Sequence, residues 1–240
     1  MIKRLLGLLA ILLLAMSCSA PAGKNLSLGL GHSSIFRVGP GKDSAGTQVY
    51  SFTYVYATAV FDKDGKIVDL ETDELEVSTP NYDGASMPHF SGWPGSPEPN
   101  FTNHETEKVD GTSPTTNESI AKEVAAWKTK RDRADTYGMN AKNDWWKQMD
   151  AWEKQFIGKT IDQVDAFYKA YTNDTNGRPL NAQSKDAAEI AKYNNLSAAD
   201  KQLVADVRSG ATMSINDAHG YVLNAIRDAW NKKKPFAQSK

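Results

Sequence analysis

Residues 50–61 have the sequence YSFTYVYATAVF, the clearest strand signal in the chain. It is dense in aromatic and β-branched residues, which favour strands because they pack well on a pleated sheet surface. The polar run DKDG follows at 62–65, and a short polar run that ends in glycine is typical of a hairpin turn. Residues 66–77 continue as a second strand, with apolar positions at Ile67, Val68, Leu70, Leu75 and Val77. The sequence therefore predicts a β-hairpin over residues 50–77.

Helical patterns follow the hairpin along the chain. Asn117 is expected to cap a helix over 118–133, and N-cap patterns at Thr160 and Ser197 begin two more helices. Because strands precede helices rather than alternate with them, we expect an α+β fold in which an antiparallel sheet packs against several helices. Residues 144–156 place four apolar side chains at helical spacing, and we interpret this stripe as core: Trp145, Met149, Trp152 and Phe156.

Two segments are rich in turn-forming residues. Residues 18–48 are predicted to be a tether that leads into an irregular, glycine-rich segment. Residues 80–116 contain six of the ten prolines and are predicted to be a long loop, because proline lacks the backbone donor of helices and sheets. His89 and His104 lie in this loop and are expected to be solvated rather than bound to a metal. The expected organisation is one domain over 49–235 with a helical insertion around 117–195.

The N-terminus has the pattern of a secretory signal. Lys3 and Arg4 precede an apolar run over residues 5–16, and small residues follow. This run is too short to cross a bilayer, since a spanning helix takes about 20 apolar residues. The pattern predicts that residues 1–17 are a signal peptide. Cys18 follows it in a position that resembles the lipidated cysteine of bacterial lipoproteins, and ordinary cleavage after Ala20 is the alternative.

Charge and cysteine content exclude several classes of function. Removal of the signal peptide would take away Lys3 and Arg4, which leaves 26 of the 28 basic residues against 29 acidic ones. A nucleic-acid partner is not expected, because such a partner requires a basic face. Cys18 is the only cysteine, so neither an intramolecular disulfide nor a cysteine-based zinc cluster is expected.

The segment that carries chemistry is residues 206–214, DVRSGATMS. Gly210 is expected to take a turn conformation that other residues avoid. Ser214, with Asp217 three residues later, is expected to cap a C-terminal helix that crosses the sheet. Thr212 would then lie just ahead of a helix N-terminus, where free N–H groups favour a phosphate. From these residues alone, a capped helix after a glycine turn is the favoured interpretation, and a phosphate site is the alternative.

The same segment resembles the flavinylation motif of FMN-binding domains, such as the C subunit of the sodium-pumping NADH:quinone reductase. In that family the threonine of Gly-Ala-Thr is joined to the FMN phosphate by a phosphoester bond, which a separate FAD-dependent flavin transferase installs. The resemblance implies that Thr212 carries FMN and that Ser214 occupies the family's second hydroxyl position. The implied recognition sequence of the transferase consists of Asp206, Ser209, Gly210 and Ala211.

Other segments are similar to extracellular FMN-binding lipoproteins of bacterial electron export. They comprise LGLG at 28–31, DKDGKI at 62–67, YGMNA at 137–141, WWKQ at 145–148 and IGKT at 157–160. The resemblance implies an exported, lipid-anchored electron carrier on the extracellular or periplasmic side of the membrane. Its implied partners are the flavin transferase and a membrane redox donor, either a quinol or a dehydrogenase system. No catalytic residue or metal ligand is expected, because the chemistry would belong to the flavin.

Two other classes of function remain open at this point. The chain could be the FMN-bearing subunit of an extracellular reductase whose active site lies on a partner. It could also be a lipid-anchored protein that binds a ligand with the proline-rich loop and never acquires flavin. Colour distinguishes the flavin-free binding protein from the flavin-bearing classes, because only a flavinylated protein stays yellow after denaturation.

Overall fold

The structure is a computed structural model that describes most of the chain. The described residues are 25–82, 87–97, 100–103, 108–112, 115–134, 144–217 and 219–236. The predicted signal peptide and lipidation site at Cys18 lie outside the described residues, as do His104 and residues 137–141. None of the described helices is long and apolar enough to cross a membrane.

The fold is α+β, as the order of the sequence patterns predicts. The four-stranded antiparallel sheet has the order β3-β2-β1-β8, and β4–β5 and β6–β7 form two small pairs. The strands are β1 (Ser27–Lys42), β2 (Gln48–Phe61), β3 (Ile67–Ser78), β4 (Asn100–Asn103), β5 (Lys108–Thr112), β6 (Asn216–Asp217), β7 (Gly220–Tyr221) and β8 (Lys234–Pro235). The helices are α1 (Asn117–Ala125), α2 (Lys130–Arg133), α3 (Trp145–Phe156), α4 (Ile161–Tyr171), α5 (Ala187–Asn194), α6 (Ala198–Gly210) and α7 (Val222–Lys232).

The predicted hairpin is β2 and β3, but the sheet begins earlier than predicted. The irregular segment predicted within 18–48 contains β1, which pairs with β2 along most of its length. The prediction of irregular structure is therefore wrong for residues 27–42. Helix α7 crosses the sheet at Gly29 and Gly31, the two glycines that suggested irregularity. A Cβ on either glycine would lie 2.1 Å from α7 backbone atoms. Packing against α7 thus overrides the low strand propensity of glycine.

The core lies between the inner face of the sheet and the helices. The predicted apolar stripe of α3 is confirmed as core, since all four of its side chains are buried. Helix α7 packs its apolar face on β1 and β2. The outer face of the sheet is not covered in the same way, and Leu30, Phe36 and Val38 are each about two-thirds exposed there.

The side chains that β3 places on the inner face of the sheet change from apolar to polar halfway along the strand. Of the apolar positions of this strand, Ile67 and Leu70 are buried on the inner face. Beyond them the buried side chains are polar, whereas Leu75 and Val77 alternate with them and are only half-buried. The buried polar positions of β3 are Thr72, Glu74, Glu76 and Ser78.

The helical part differs from the prediction in three places. The single helix expected over 118–133 is two helices, α1 and α2, because the side chain of Thr129 caps a new helix by accepting from Asp132 N. Thr116 rather than Asn117 is the N-cap of α1. Helix α5 was not predicted, and none of its residues is buried, so it has no apolar stripe to recognise. The N-caps predicted at Thr160 and Ser197 are confirmed.

The proline-rich loop is not wholly irregular, because the short pair β4–β5 lies within it. His89 is only 2 % exposed and forms a bridge with Ser78 at the end of β3, so the expectation that it is solvated is wrong. Burial lowers the pKa of the His89 imidazole despite the nearby Glu123 carboxylate.

Candidate functional site

The predicted motif spans the end of α6 and the segment that follows it. Asp206, Ser209 and Gly210 belong to the last turn and a half of α6, and Ala211 is its buried C-cap. Thr212 then stands exposed between the buried residues Ala211 and Met213. The segment therefore presents the Thr212 side chain at the surface while its neighbours on both sides are fixed in the core.

Gly210 does not form the expected turn. It is the last residue of α6 and does not adopt the left-handed conformation. Its lack of a side chain matters for packing instead, because a Cβ at this position would lie 2.7 Å from the Cβ of Ala151 on α3. The glycine thus allows the end of α6, two residues before Thr212, to approach α3 closely.

Ser214 does not cap a helix, and this prediction is also wrong. The β6–β7 pair, which contains Asp217, separates Ser214 from α7, whose N-cap is Tyr221. The Ser214 hydroxyl lies 3.1 Å from the Tyr168 hydroxyl and accepts from Asn216 N. Thr212 therefore follows the C-terminal end of α6 and does not precede a helix N-terminus. A helix C-terminus carries partial negative charge, so the dipole there disfavours a phosphate.

Gln148 of α3 holds the backbone around Thr212. Its side-chain oxygen accepts from Thr212 N at 2.9 Å and from Met213 N at 3.0 Å, and it lies 3.4 Å from the Thr212 hydroxyl. Gln148 is only 1 % exposed. Trp152 Nε1, one helical turn further on, donates to the Met213 carbonyl at 3.3 Å. Sequence reasoning did not assign Gln148 to the site, although it ends the WWKQ segment that resembles the lipoproteins.

A cleft of about 390 Å³ opens beside Thr212. Helices α3 and α6 form one wall, and the loop before α5 forms the other. The lining residues are Gln148, Asn176, Arg178, Pro179, Asn181, Glu189, Arg208, Thr212 and Met213.

The charge of this cleft is positive. Arg178 and Arg208 both line it, and Glu189 is its one carboxylate among the described lining residues. Glu189 already accepts hydrogen bonds from Asn181 N at 2.7 Å, Asn173 Nδ2 at 2.7 Å and Ser184 Oγ at 2.6 Å. Glu189 thus organises the loop, and its single negative charge against two arginines leaves the cleft with a net positive charge.

Asp206 and Ser209 do not line the cleft. Both are exposed on α6, where the Asp206 carboxylate accepts from Gln202 Nε2 at 2.9 Å and the Ser209 hydroxyl donates to the Asp206 carbonyl at 2.6 Å. Because both side chains are exposed, a modifying enzyme can reach them. The resemblance implies that such an enzyme recognises them.

A smaller pocket adjoins the cleft, and Arg178 and Met213 line both. Its floor contains a buried ion pair in which Lys130 Nζ donates to Glu74 Oε2 at 2.6 Å, with Glu76 Oε2 at 3.4 Å. Burial raises the pKa of the Glu74 carboxyl, although Lys130 opposes this effect. His219 lies at its rim, where burial, Arg37 and Lys130 lower the pKa of the imidazole.

Within the residues that the structure describes, no group of three or more His, Cys, Asp or Glu side chains could hold a metal ion. The cleft at Thr212 and its adjoining pocket each bring charged and polar side chains together.

Comparison with curated proteins finds similarity to a chlorophenol reductase of Desulfitobacterium hafniense, which is 29% identical over 222 residues. The alignment covers 90% of this chain but 60% of the relative, so the chain spans about three-fifths of that protein's length. No protein-family model and no solved structure matches the chain. The α+β fold thus has a candidate site at Thr212, in a chain that is similar to a protein named as a reductase.

Proposed function

We propose that this chain is an exported flavoprotein that carries FMN covalently on Thr212 and transfers electrons outside the cytoplasm. The observation that carries the proposal is the placement of Thr212: an exposed threonine in the motif's position, at a positively charged cleft, on a backbone held by buried Gln148. The motif residues Asp206 and Ser209 are exposed beside it. The similarity to a reductase is consistent with a redox role.

The residues at this site fit a flavin joined through its phosphate. The attachment would transfer the FMN part of FAD to the Thr212 oxygen: a new phosphorus–oxygen bond forms, the bond to AMP breaks, and AMP and a proton leave. Gln148 would orient the threonine for this step, since it accepts from the amides of Thr212 and Met213. Arg178 and Arg208 would offset the charge of the phosphate.

When bound, the flavin supplies one-electron and two-electron redox chemistry. The chain's own contribution would be attachment, orientation and electrostatics. Covalent attachment suits an exported protein, because a cofactor lost outside the cell would not return. The proposed partners are therefore the FAD-dependent transferase that modifies Thr212 and a membrane redox donor, and the proposed anchor is a lipid on Cys18.

The similarity to a chlorophenol reductase favours a second candidate: the chain would be the FMN-bearing part of an extracellular reductase. The two candidates differ in whether the flavin-loaded chain works alone or inside a complex. A carrier purifies without a stable partner and passes its electrons to a soluble acceptor dye. A reductase subunit would instead co-purify with a partner that carries the active site, and the complex rather than the chain alone would consume a chlorophenol.

The central test is replacement of the acceptor hydroxyl. In a host that has a flavin transferase, we expect the wild-type chain to gain the mass of one FMN less one water. Thr212→Val should gain none, because valine keeps nearly the same volume but offers no ester oxygen. Thr58→Val, an exposed Thr-to-Val change on β2, is the matched control and should load normally.

Intact mass and in-gel fluorescence after denaturation measure both outcomes. Covalent flavin on the Thr212→Val protein would move the acceptor to another hydroxyl, of which Ser209 and Ser214 are nearest in the motif. A wild-type chain that stays unmodified beside an active transferase would favour the flavin-free binding protein.

A further inference from the structure

We propose that the cleft beside Thr212 is a phosphate-recognition site, in which Arg178 and Arg208 hold the flavin phosphate before and after its esterification. This inference rests on the proposed function and adds to it the residues that select a phosphorylated flavin. It also predicts that the chain binds FMN reversibly without any transferase.

A phosphate in this cleft needs cationic side chains to hold it. Thr212 follows the C-terminal end of α6, where the partial negative charge of the helix repels an anion. Backbone charge at this position therefore does not favour a phosphate, in contrast to a helix N-terminus. Any preference of the site for phosphate must come from charged side chains in the cleft.

Arg178 is available for this role. It is exposed on the loop that forms the far wall of the cleft. Within the described part of the chain, its guanidinium has no hydrogen-bond or ion-pair partner; its backbone amide donates to Asn176 Oδ1 and its carbonyl accepts from Asn173 N. An arginine offers five N–H donors in a planar array that matches phosphate oxygens. Its side chain can therefore bind an anion without breaking an existing contact.

Arg208 approaches from the α6 side of the cleft. Its NH1 donates to the Pro179 carbonyl at 2.9 Å, which fixes the guanidinium between α6 and the loop that carries Arg178. One of its five donors is used in this bond, and others remain for a ligand. The Pro179 contact thus preorganises one arginine, while the other is free to close on the ligand.

The neighbouring carboxylate does not cancel this charge. Glu189 accepts three hydrogen bonds from neutral groups and forms no ion pair within the described residues. Two cations against one solvated or internally bonded carboxylate leave the cleft with a net positive charge. The chemical class that fits is a phosphate ester next to a hydroxyl, and for a flavin this means FMN rather than riboflavin.

The test uses the full chain purified from a host without a flavin transferase, titrated with FMN and with riboflavin. Quenching of flavin fluorescence reports binding. We expect FMN to bind at least about tenfold more tightly than riboflavin, since each lost charge-assisted hydrogen bond weakens binding about tenfold. Inorganic phosphate should compete with FMN but not with riboflavin, which separates recognition of phosphate from recognition of the ring.

Arg178→Gln is the decisive variant, because the Arg178 side chain makes no hydrogen bond or ion pair with the described residues. Its affinity for FMN should fall about tenfold while its affinity for riboflavin stays unchanged. Arg208→Gln should act in the same direction, but it also removes the bond to Pro179, so Arg178→Gln carries the test. Arg227→Gln on α7, outside the cleft lining, is the matched control and should bind FMN as the wild type does.

Equal affinity of the wild type for FMN and riboflavin would overturn the inference, and so would wild-type affinity of Arg178→Gln for FMN. Thr212→Val separates this outcome from failure of the proposed function. It keeps both arginines, so its reversible binding of FMN should stay within about twofold of the wild type. If reversible, phosphate-dependent binding occurs but no covalent flavin ever forms on Thr212, the inference stands and the proposed attachment fails.

Discussion

At the scale of single residues, Gln148 determines how Thr212 is presented. One buried side-chain oxygen serves two consecutive backbone amides, which fixes the peptide on both sides of the Thr212 side chain. A buried amide without an acceptor costs about 1–3 kcal/mol. The exposed hydroxyl therefore depends on a residue that is itself inaccessible.

We expect Gln148→Met to lower the free energy of unfolding by about 2–4 kcal/mol, because methionine fills the space but leaves both amides unsatisfied. Flavin loading at Thr212 should fall as well, whereas Gln148→Glu, which keeps an acceptor oxygen, should retain part of it. Urea denaturation and intact mass measure the two effects.

Gln202→Met provides the control for this prediction. Gln202 is exposed on α6 and its side chain hydrogen-bonds only to Asp206 among the described residues, so the same change there should cost less than about 0.5 kcal/mol. Equal effects of the two substitutions would remove Gln148 from its positioning role.

At the scale of secondary-structure elements, the contact between α3 and α6 sets the position of the motif. Gly210→Ala would place a Cβ 2.7 Å from the Cβ of Ala151, which is closer than two carbon atoms can pack. We expect the helices to separate, at a cost of about 1–3 kcal/mol after the better helix propensity of alanine is included. Flavin loading should fall because Thr212 moves with the end of α6.

The compensating change tests the physical cause. Ala151→Gly removes the opposing Cβ. The double variant Gly210→Ala/Ala151→Gly should therefore recover flavin loading and most of the stability that the steric clash removes. If Ala151→Gly restores stability but not loading, Gly210 acts through recognition by the transferase rather than through packing.

Strand β3 gives the protein a pH dependence. Burial raises the pKa of the Glu76 carboxyl, but Lys130, Ser51 and Arg37 together lower it below its ordinary value of 4.5. Because the pKa is depressed in the folded state, the ionised Glu76 stabilises the fold above about pH 4.5, and this contribution is lost as the pH falls through the folded-state pKa.

We therefore expect Glu76→Gln to weaken the acid dependence of unfolding. The free energy of unfolding should fall less steeply below pH 4.5 in the variant than in the wild type. Glu71→Gln, on the exposed side of the same strand, is the control. Parallel acid limbs for the wild type and Glu76→Gln would show that Glu76 does not contribute. Chemical denaturation at a series of pH values measures the slopes.

At the scale of the whole molecule, periodic patterns in the sequence predicted the elements that bury an apolar face. The hairpin β2–β3 and the stripe of α3 are of this kind, and both are confirmed. Strand β1 was missed because its glycines are explained only by α7, which lies nearly 200 residues away in the chain. Likewise Glu74 and Glu76 become inward residues only because Lys130 and Arg37 come from other elements.

The candidate site shows the same division. Thr212 is exposed, as the motif requires, but the local prediction of a helix N-terminus around it is wrong. Under the proposed function the motif is a linear sequence that a transferase would recognise, and such a sequence holds no information about the walls of the cleft. Arg178 and Gln148 reach the site through tertiary packing, so neither could be placed there from residues 206–214 alone.

Cys18 is expected to anchor the whole molecule to the membrane. Cys18, outside the described residues, is the only thiol and directly follows the predicted signal peptide. If it carries the lipid anchor, Cys18→Ser should release the protein from membranes into the soluble fraction, as fractionation and immunoblotting would show. Flavin loading at Thr212 should persist, because the site is built from elements that begin beyond the anchor. Electron delivery from the membrane should fall, since the carrier would lose its high local concentration near the donor. A Cys18→Ser protein that stays with membranes as the wild type does would instead assign the anchor to the uncleaved signal or to a protein partner.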